Sequence, residues 1–473
     1  MWTWLNETMK EFKRAFSRQT TFNWFAIIII GLMIRSEYLG ITSIVNELNL
    51  SDNAYTAMLH FFRSEGWQIT IIKNMWLGIV KDSQYAIKES DRYILIGDGV
   101  KQAKEGRKMP GVKKLHQESD NSAKGEYIHG HLFGGLGILA GNGIKTYCIL
   151  LSARLHDGIG AIRKWQESED YIEESHVVKM IHDASDAVRR LGKSILLLDR
   201  LFLTVPMLKA LSEVTELTVV TKAKSNATAY FPPGPYKGRG ARAKKGASVK
   251  LMEYFKTHAH QFKNDEMYLY GQKKAVQYFY VDHLWGKKWY QPLRFVLTVI
   301  DGVESILVST DLTLSPSQII GLYGHRFKIE CSFREFKQVV SGFSYHFWNK
   351  HMHKLQKFKN NKVNQEAVEK ITEPQHRRLI ISTVKAIEGF VQCSLIALGL
   401  LQIIGLRFSG EINKSGRRFM RTVSNDIPSE RTVACYMRRN IYMLLRFFPK
   451  LMLTTIIKSR QLSSNDYCGM DSA

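Results

Sequence analysis

The residues best placed to do chemistry lie in the run Tyr323-Gly-His-Arg326-Phe-Lys-Ile-Glu330-Cys-Ser-Phe-Arg334-Glu335-Phe-Lys337. Ser315-Pro316-Ser317 just ahead is a helix-start signal, with no further proline until well past Lys337. Read as one helix, Tyr323, Arg326, Glu330 and Lys337 are offset by three, four and seven residues. These offsets keep all four side chains within one narrow sector. Ile329, Phe333 and Phe336 fall on other faces and suit burial. A carboxylate flanked by two cations and a phenol suits a metal-bound phosphate, the acid holding the ion and the cations holding the backbone to be cut. The plainer alternative is a solvated helix face with pairs such as Arg326–Glu330.

The spacing Y-x2-R-x3-E-x6-K resembles the signature of the DDE transposases of bacterial insertion sequences, in the group named after insertion sequence four. Such a family needs two upstream aspartates on strands, and two sites answer. Arg92-Tyr-Ile-Leu-Ile-Gly-Asp98-Gly99 reads as a buried strand delivering Asp98 at its end. Ser194-Ile-Leu-Leu-Leu-Asp199 reads as a second. A lone aspartate at a strand end is ordinarily a turn or cap residue. Two of them with the glutamate helix, in this order, point to one site. Two Asp and one Glu can hold two divalent ions roughly 3.5–4 Å apart, and carboxylates suit Mg²⁺. Rival motifs fail: Ala187-x4-Gly192-Lys193-Ser194 is one glycine short of a phosphate loop and precedes a strand, and neither H-E-x-x-H nor G-x-S-x-G is present.

The resemblance covers residues 90 to 340 and implies the rest of the chemistry. Asp98, Asp199 and Glu330 match the catalytic triad that binds two Mg²⁺ ions, with Mn²⁺ as a substitute. Tyr323, Arg326 and Lys337 match residues that contact the transposon-end DNA. Such enzymes nick the element's end with water, and many then cut the second strand through a hairpin before joining the end to target DNA. Some steady a flipped base with a tryptophan, for which Trp285 and Trp289 are the candidates. The implied partners are double-stranded DNA with terminal inverted repeats, target DNA and a second copy of the chain in a synaptic homodimer. The implied location is the bacterial cytoplasm, at the nucleoid.

The elements that must position these residues follow a recognisable order. Residues 1–75 are helix-rich and form either a DNA-binding module or a packing subdomain. Residues 90–221 hold the two aspartates, with strands at Tyr127 to Ala140 and Thr146 to Ala153, a helix at Tyr171 to Leu191 and another at Thr204 to Val214, and a strand at Leu217 to Thr221. Three strands, then helix, strand, helix and strand, make an α/β core, which the resemblance implies is ribonuclease-H-like. Residues 222–312 form a basic, β-rich insertion, 313–345 carry the Glu330 helix, and 346–473 are basic and helical, suited to dimerisation or DNA contacts. Residues 222 to 263 hold ten Lys or Arg against one Glu. The flexible loop with Arg239, Arg242, Lys244 and Lys245 suits phosphate tracking.

The formal charge of +24 over 473 residues implies a polyanionic partner, nucleic acid first and a membrane surface second. Five scattered cysteines with no C-x2-C argue against a disulfide framework or zinc site and fit a reducing cytosol. Gly389 to Leu406 is eighteen residues without a charge, and it reads as a core helix with a membrane span as the alternative. Two other readings stay open: an inactive or domesticated DNA-binding protein, and another ribonuclease-H-like nuclease.

Overall fold

Short apolar runs and long-range pairing build one mixed sheet of thirteen strands, with helical regions at both ends of the chain. The computed structural model describes residues 1–37, 40–117, 125–168, 170–236, 238, 241–355, 368–415 and 427–462. Five helices come first: α1 Trp2–Glu11, α2 Gln19–Ile34, α3 Thr42–Leu48, α4 Asn53–Arg63 and α5 Ile69–Asp82. Five strands follow: β1 Lys88–Glu89, β2 Arg92–Ala103, β3 Lys113–His116, β4 Tyr127–Gly141 and β5 Thr146–Leu155. Then come α6 Gly160–Gln166, α7 His176–Leu191, β6 Ser194–Leu197, α8 Val205–Ser212 and β7 Leu217–Lys222. The next stretch holds β8 Thr228–Tyr230, β9 Ser248–Lys250, α9 Tyr254–Thr257, β10 Lys263–Leu269, β11 Gln272–Gly286, β12 Tyr290–Ile300 and β13 Val303–Ser309. Helices α10 Pro316–Gly324, α11 Lys328–Gln338, α12 Pro374–Arg407, α13 Ser409–Ser415, α14 Glu430–Arg439, α15 Ile441–Phe447 and α16 Met452–Lys458 complete the chain.

At the centre the spatial order is β5-β4-β2-β6-β7, antiparallel among the first three and parallel from β2 through β7. Strand β13 then pairs antiparallel with β7, followed by β12 and β11. The basic stretch is therefore no detached lobe, because its strands continue the central sheet. Local alternation marks strands but does not say which edge they join.

Helix α7 packs on β2 and β4, with its apolar residues Met180, Ile181, Ala184 and Val188 buried. Its start is fixed by Ser175, whose side chain accepts the Val178 N–H at 3.4 Å. Helix α11 packs on β5 and β2. Glycines let the sheet and α7 approach closely: a Cβ on Gly97 would lie 2.7 Å from the Met180 sulfur, and one on Gly99 2.8 Å from His176 Nε2. Between them Asp98 points the other way, toward α11, since strand side chains alternate.

The uncharged run Gly389 to Leu406 lies in α12, the one helix among the described residues long and apolar enough to cross a membrane. Its apolar window is wholly buried, packed on β5 and the N-terminal helices α2, α4 and α5. Gln392 in this run donates to the Leu151 carbonyl at 3.1 Å, and Gln402 to Glu430 at 3.0 Å. Polar groups that find protein partners inside a core are what a core helix requires. The two chain ends thus share one core, and the N-terminal helices pack on α12 rather than standing apart.

Candidate active site

Asp98 sits within β2, not at its end. The strand continues through Lys101, Gln102 and Ala103 because these pair with Leu132, His131 and Gly130 of β4. Sequence pattern marked only the apolar half, since the polar half is held by pairing and not by burial. Opposite Asp98 stands Gly135. A Cβ on Gly135 would come 2.6 Å from the Phe333 ring, so this glycine admits the side chain that seats α11 over the strand. Ser332 anchors the same helix by donating to the Cys148 carbonyl at 2.5 Å. Gly135 is a positioning residue that spacing could not reveal, for its partner lies far along the chain.

Asp199 follows β6, which ends at Leu197, and begins the 3-10 turn Arg200–Phe202. The Thr221 hydroxyl donates to its carbonyl at 2.9 Å, tying it to β7. Ile96 of β2 pairs with Leu197 of β6 in parallel register. Two residues further along each chain, Asp98 and Asp199 arrive at the same level of the sheet.

The run from Tyr323 to Lys337, read from spacing as one helix, spans two helices. Between α10 and α11, residues 325–327 form a turn with hydrogen bonds three residues back: His325 N–H to the Leu322 carbonyl, Arg326 to Tyr323, Lys328 to His325, each 3.0 Å. This tighter, 3-10-type winding is invisible to a periodicity that counts only three- and four-residue offsets. Gly324 opens it, where a Cβ would press on Leu269 at 3.2 Å. Glu330 therefore stands in the first turn of α11, and Lys337 is exposed in its last turn, about 10 Å further along the axis.

Arg326 brings the acids together. Its Nη1 donates to Asp98 Oδ2 at 3.3 Å, and its Nη2 pairs with Glu330 Oε1. Asp98 Oδ1 also accepts the Gly99 N–H at 2.7 Å. Burial nevertheless pushes the Asp98 carboxyl up to about 6, against the pull of Arg326 and the Gly99 N–H, and Asp199 and Glu330 push the same way. Tyr323 lies close enough to feel Arg326, Asp199 and Asp98, and burial raises its phenol so that it stays protonated at neutral pH.

Among the described residues, no three His, Cys, Asp or Glu side chains are gathered closely enough to hold a metal ion as they stand. Arg326 lies between two of the three acids and bridges them. The donor set fits a hard divalent cation in kind, being all carboxylate oxygen from three separate elements.

Trp285 and Trp289 are only partly buried against the core, at the β11–β12 turn. This is the far end of β11 from the hairpin that meets α10, roughly 40 Å of extended strand away. By register the level of Asp199 runs through Leu307 of β13 and Val296 of β12 to Tyr280 of β11, so Trp285 lies five residues further along that strand, four strands across the sheet from β6. Arg242, Lys244 and Lys245 lie at that same far end, where β8 pairs with β11 through Tyr230 and Leu284. Arg239 falls outside the described residues. No family model matches this chain, and a search of curated proteins finds no match either.

Proposed function

We propose that this chain is a DDE-type transposase with a ribonuclease-H-like core, cutting DNA at the ends of an insertion sequence and joining them to target DNA. One observation carries the reading: Arg326 holds an acid from a central strand and an acid from a helix 232 residues later in the chain. The neighbouring parallel strand delivers Asp199 at the same level. The order β5-β4-β2-β6-β7 is what such a core requires, and the charge of +24 supplies affinity for a polyanion.

In this reading Asp98, Asp199 and Glu330 would hold Mg²⁺, whose chemistry here is to activate the attacking oxygen and shield the leaving one. Arg326 presents a fork of donors that suits a backbone phosphate once DNA competes for it. Tyr323, kept as a phenol, donates a hydrogen bond, and Lys337 reaches a phosphate further along the strand. Partners are then transposon-end DNA, target DNA and a second copy of the chain.

The test is nicking of duplexes taken from the DNA flanking the reading frame, with and without Mg²⁺. Asp98→Asn, Asp199→Asn and Glu330→Gln should each lower cleavage at least 1,000-fold while DNA binding survives, because the metal's several kcal/mol are lost with one ligand. Glu335, paired with Arg334 at 3.0 Å, is the control, and Glu335→Gln should cut normally. Robust cleavage by the Glu330→Gln protein would sink the assignment. The grip of Arg326 on two acids also favours a second reading, a DNA-binding protein without turnover. Salt-dependent DNA binding with no nicking by the unaltered protein would select it.

A further inference from the structure

Lys104 is the first residue past β2, and the fold buries it to 9% exposure. Its ammonium donates to the carbonyls of Phe343 and Tyr345, the latter at 3.0 Å, and lies 3.5 Å from the centre of the Tyr345 ring. Carbonyls and a ring satisfy its donors but carry no full negative charge. Among the described residues no carboxylate pairs with it. Lys179, buried as deeply at 7%, does have one, Glu173 at 3.1 Å. Burial pushes the Lys104 ammonium down to about 7. A buried cation without a counter-charge is costly, and an anion arriving from outside would relieve that cost.

Beside Lys104 there is space for one: a cavity of about 680 Å³ between two walls. One wall is the loop 102–109 that ends β2, and the other is the strap 343–348 that follows α11. Backbone bonds tie the walls together, from the Asn349 N–H to the Lys108 carbonyl at 3.1 Å and from the Leu355 N–H to the Arg107 carbonyl at 2.8 Å. Along the strap Phe343, Tyr345 and Phe347 are buried, whereas His346 and Trp348 stay exposed. The lining holds four Lys or Arg against one Glu, a formal +3 (four minus one). Of these, Lys108 donates to the Lys350 carbonyl at 2.9 Å. The side chains of Arg107 and Lys354 are exposed and have no hydrogen-bond or ion-pair partner among the described residues.

We propose that this cavity is a phosphate-binding site, with Lys104 as its buried charge and Arg107 and Lys354 closing on the anion from the rim. A guanidinium presents a fork that matches two phosphate oxygens, and an ammonium supplies a compact point charge. A phosphate monoester carries about −1.5 to −2 at pH 7, and two neighbouring diesters of a nucleic-acid backbone carry about as much between them. Either source offsets most of the excess charge in the lining. The site is separate from the acids, because Asp98 stands five residues before the end of β2, roughly 17 Å of strand away. It therefore holds or fails whether or not those acids cut DNA.

The experiment titrates the full chain carrying ¹³C-labelled lysine, with the Lys104 side-chain signal identified by its absence from the Lys104→Arg protein. Against chloride at equal ionic strength, saturating inorganic phosphate should raise the Lys104 titration midpoint by about one unit or more, since a nearby opposite charge favours the ammonium. A DNA duplex of arbitrary sequence is the second arm. A rise with inorganic phosphate makes a free phosphate or monoester the ligand, and a rise with the duplex alone makes it the nucleic-acid backbone. In the protein with both Arg107→Ala and Lys354→Ala, exposed positions whose loss spares the fold, the rise should shrink to about half or less. A midpoint that neither phosphate nor duplex moves would overturn the site, and so would an equal rise in the double variant.

Discussion

Two carboxylates on opposite faces of the same sheet, one buried and one partly buried, have opposite fates. Asp183, on α7, is 3% exposed and takes a hydrogen bond from His156 Nε2 at 2.8 Å and an ion pair from Arg154 at 2.6 Å. Burial pushes its carboxyl up, but these partners outweigh it and hold it below the usual range. Asp98, on β2, keeps 21% of its side-chain surface and has one guanidinium contact, shared with Glu330, and one N–H. There burial wins, and the carboxyl rises to about 6. An acid that completes a fold comes with its neutralising partners built in. An acid left under-compensated and facing other acids is one that a cation can still stabilise, which is the electrostatic mark of a working site.

Removing each charge should therefore act in opposite directions. Asp183→Asn strips the buried pair of its anion, leaving Arg154 and His156 without it, and should cost about 3–5 kcal/mol of stability. Asp98→Asn removes an anion that the fold disfavours. Without divalent ions at neutral pH it should leave stability unchanged or raise it by about 1–2 kcal/mol, less than the full pKa displacement because the side chain stays partly solvated. Urea denaturation midpoints of the two variants would measure both. A loss of stability in Asp98→Asn as large as in Asp183→Asn would erase the distinction.

The pH dependence sharpens the same contrast. Burial lowers His131 and His176 to about 3 and lowers His156 as well, so the fold refuses protons that the unfolded chain accepts below about 6.5. Each such group makes stability fall as pH falls. Asp98 works the other way between about 4 and 6, since the folded chain holds its proton longer than the unfolded one. These three histidines set against Asp98 should cost about 2–3 kcal/mol per pH unit between pH 6 and pH 5, and His283, His325 and His346, also lowered by burial, add to the loss. In the Asp98→Asn protein the opposing contribution is gone, and the slope should steepen by about 1 kcal/mol per unit. Denaturation at pH 7, 6 and 5 decides it, and equal slopes would remove Asp98 from the set of raised acids.

Much of this was legible in the residues themselves. The apolar runs at Ile94 and Ile195, the amphipathic pattern of α7 and the capped start of α10 are local signals, although α7 begins at His176 and not at Tyr171, because Ser175 caps it. What local pattern could not carry was set by partners distant in sequence. Lys101 to Ala103 are strand only because β4 lies beside them, and β13 joins β7 only through long-range pairing. The break at residues 325–327 follows Gly324, where the helix passes close to Leu269 of a distant hairpin. Gly135 matters because of Phe333.

The smallest effect concerns cations, where the same contrast recurs. Lys245 is already engaged: its ammonium lies 3.7 Å from the centre of the Tyr230 ring and 5.4 Å from that of Tyr290. Arg242 and Lys244 in the same loop are exposed, Arg242 resting over Tyr236 at 5.2 Å. A cation seated on aromatic rings holds the corner between β8 and β12, whereas an exposed one can neutralise a phosphate and release a counterion. Changing Arg242 and Lys244 to Ala should each flatten the slope of log affinity against log salt by about 1, with little effect on melting. Lys245→Ala should change the slope less and lower the melting temperature slightly through the lost ring contact. Since the loop lies at the β8–β11 corner, five strands across the sheet from β6 and Asp199, these changes should weaken binding and leave the cleavage rate of bound DNA alone. A slope that responds to Lys245 and ignores Arg242 and Lys244 would mean that the engaged cation, not the exposed ones, meets the DNA.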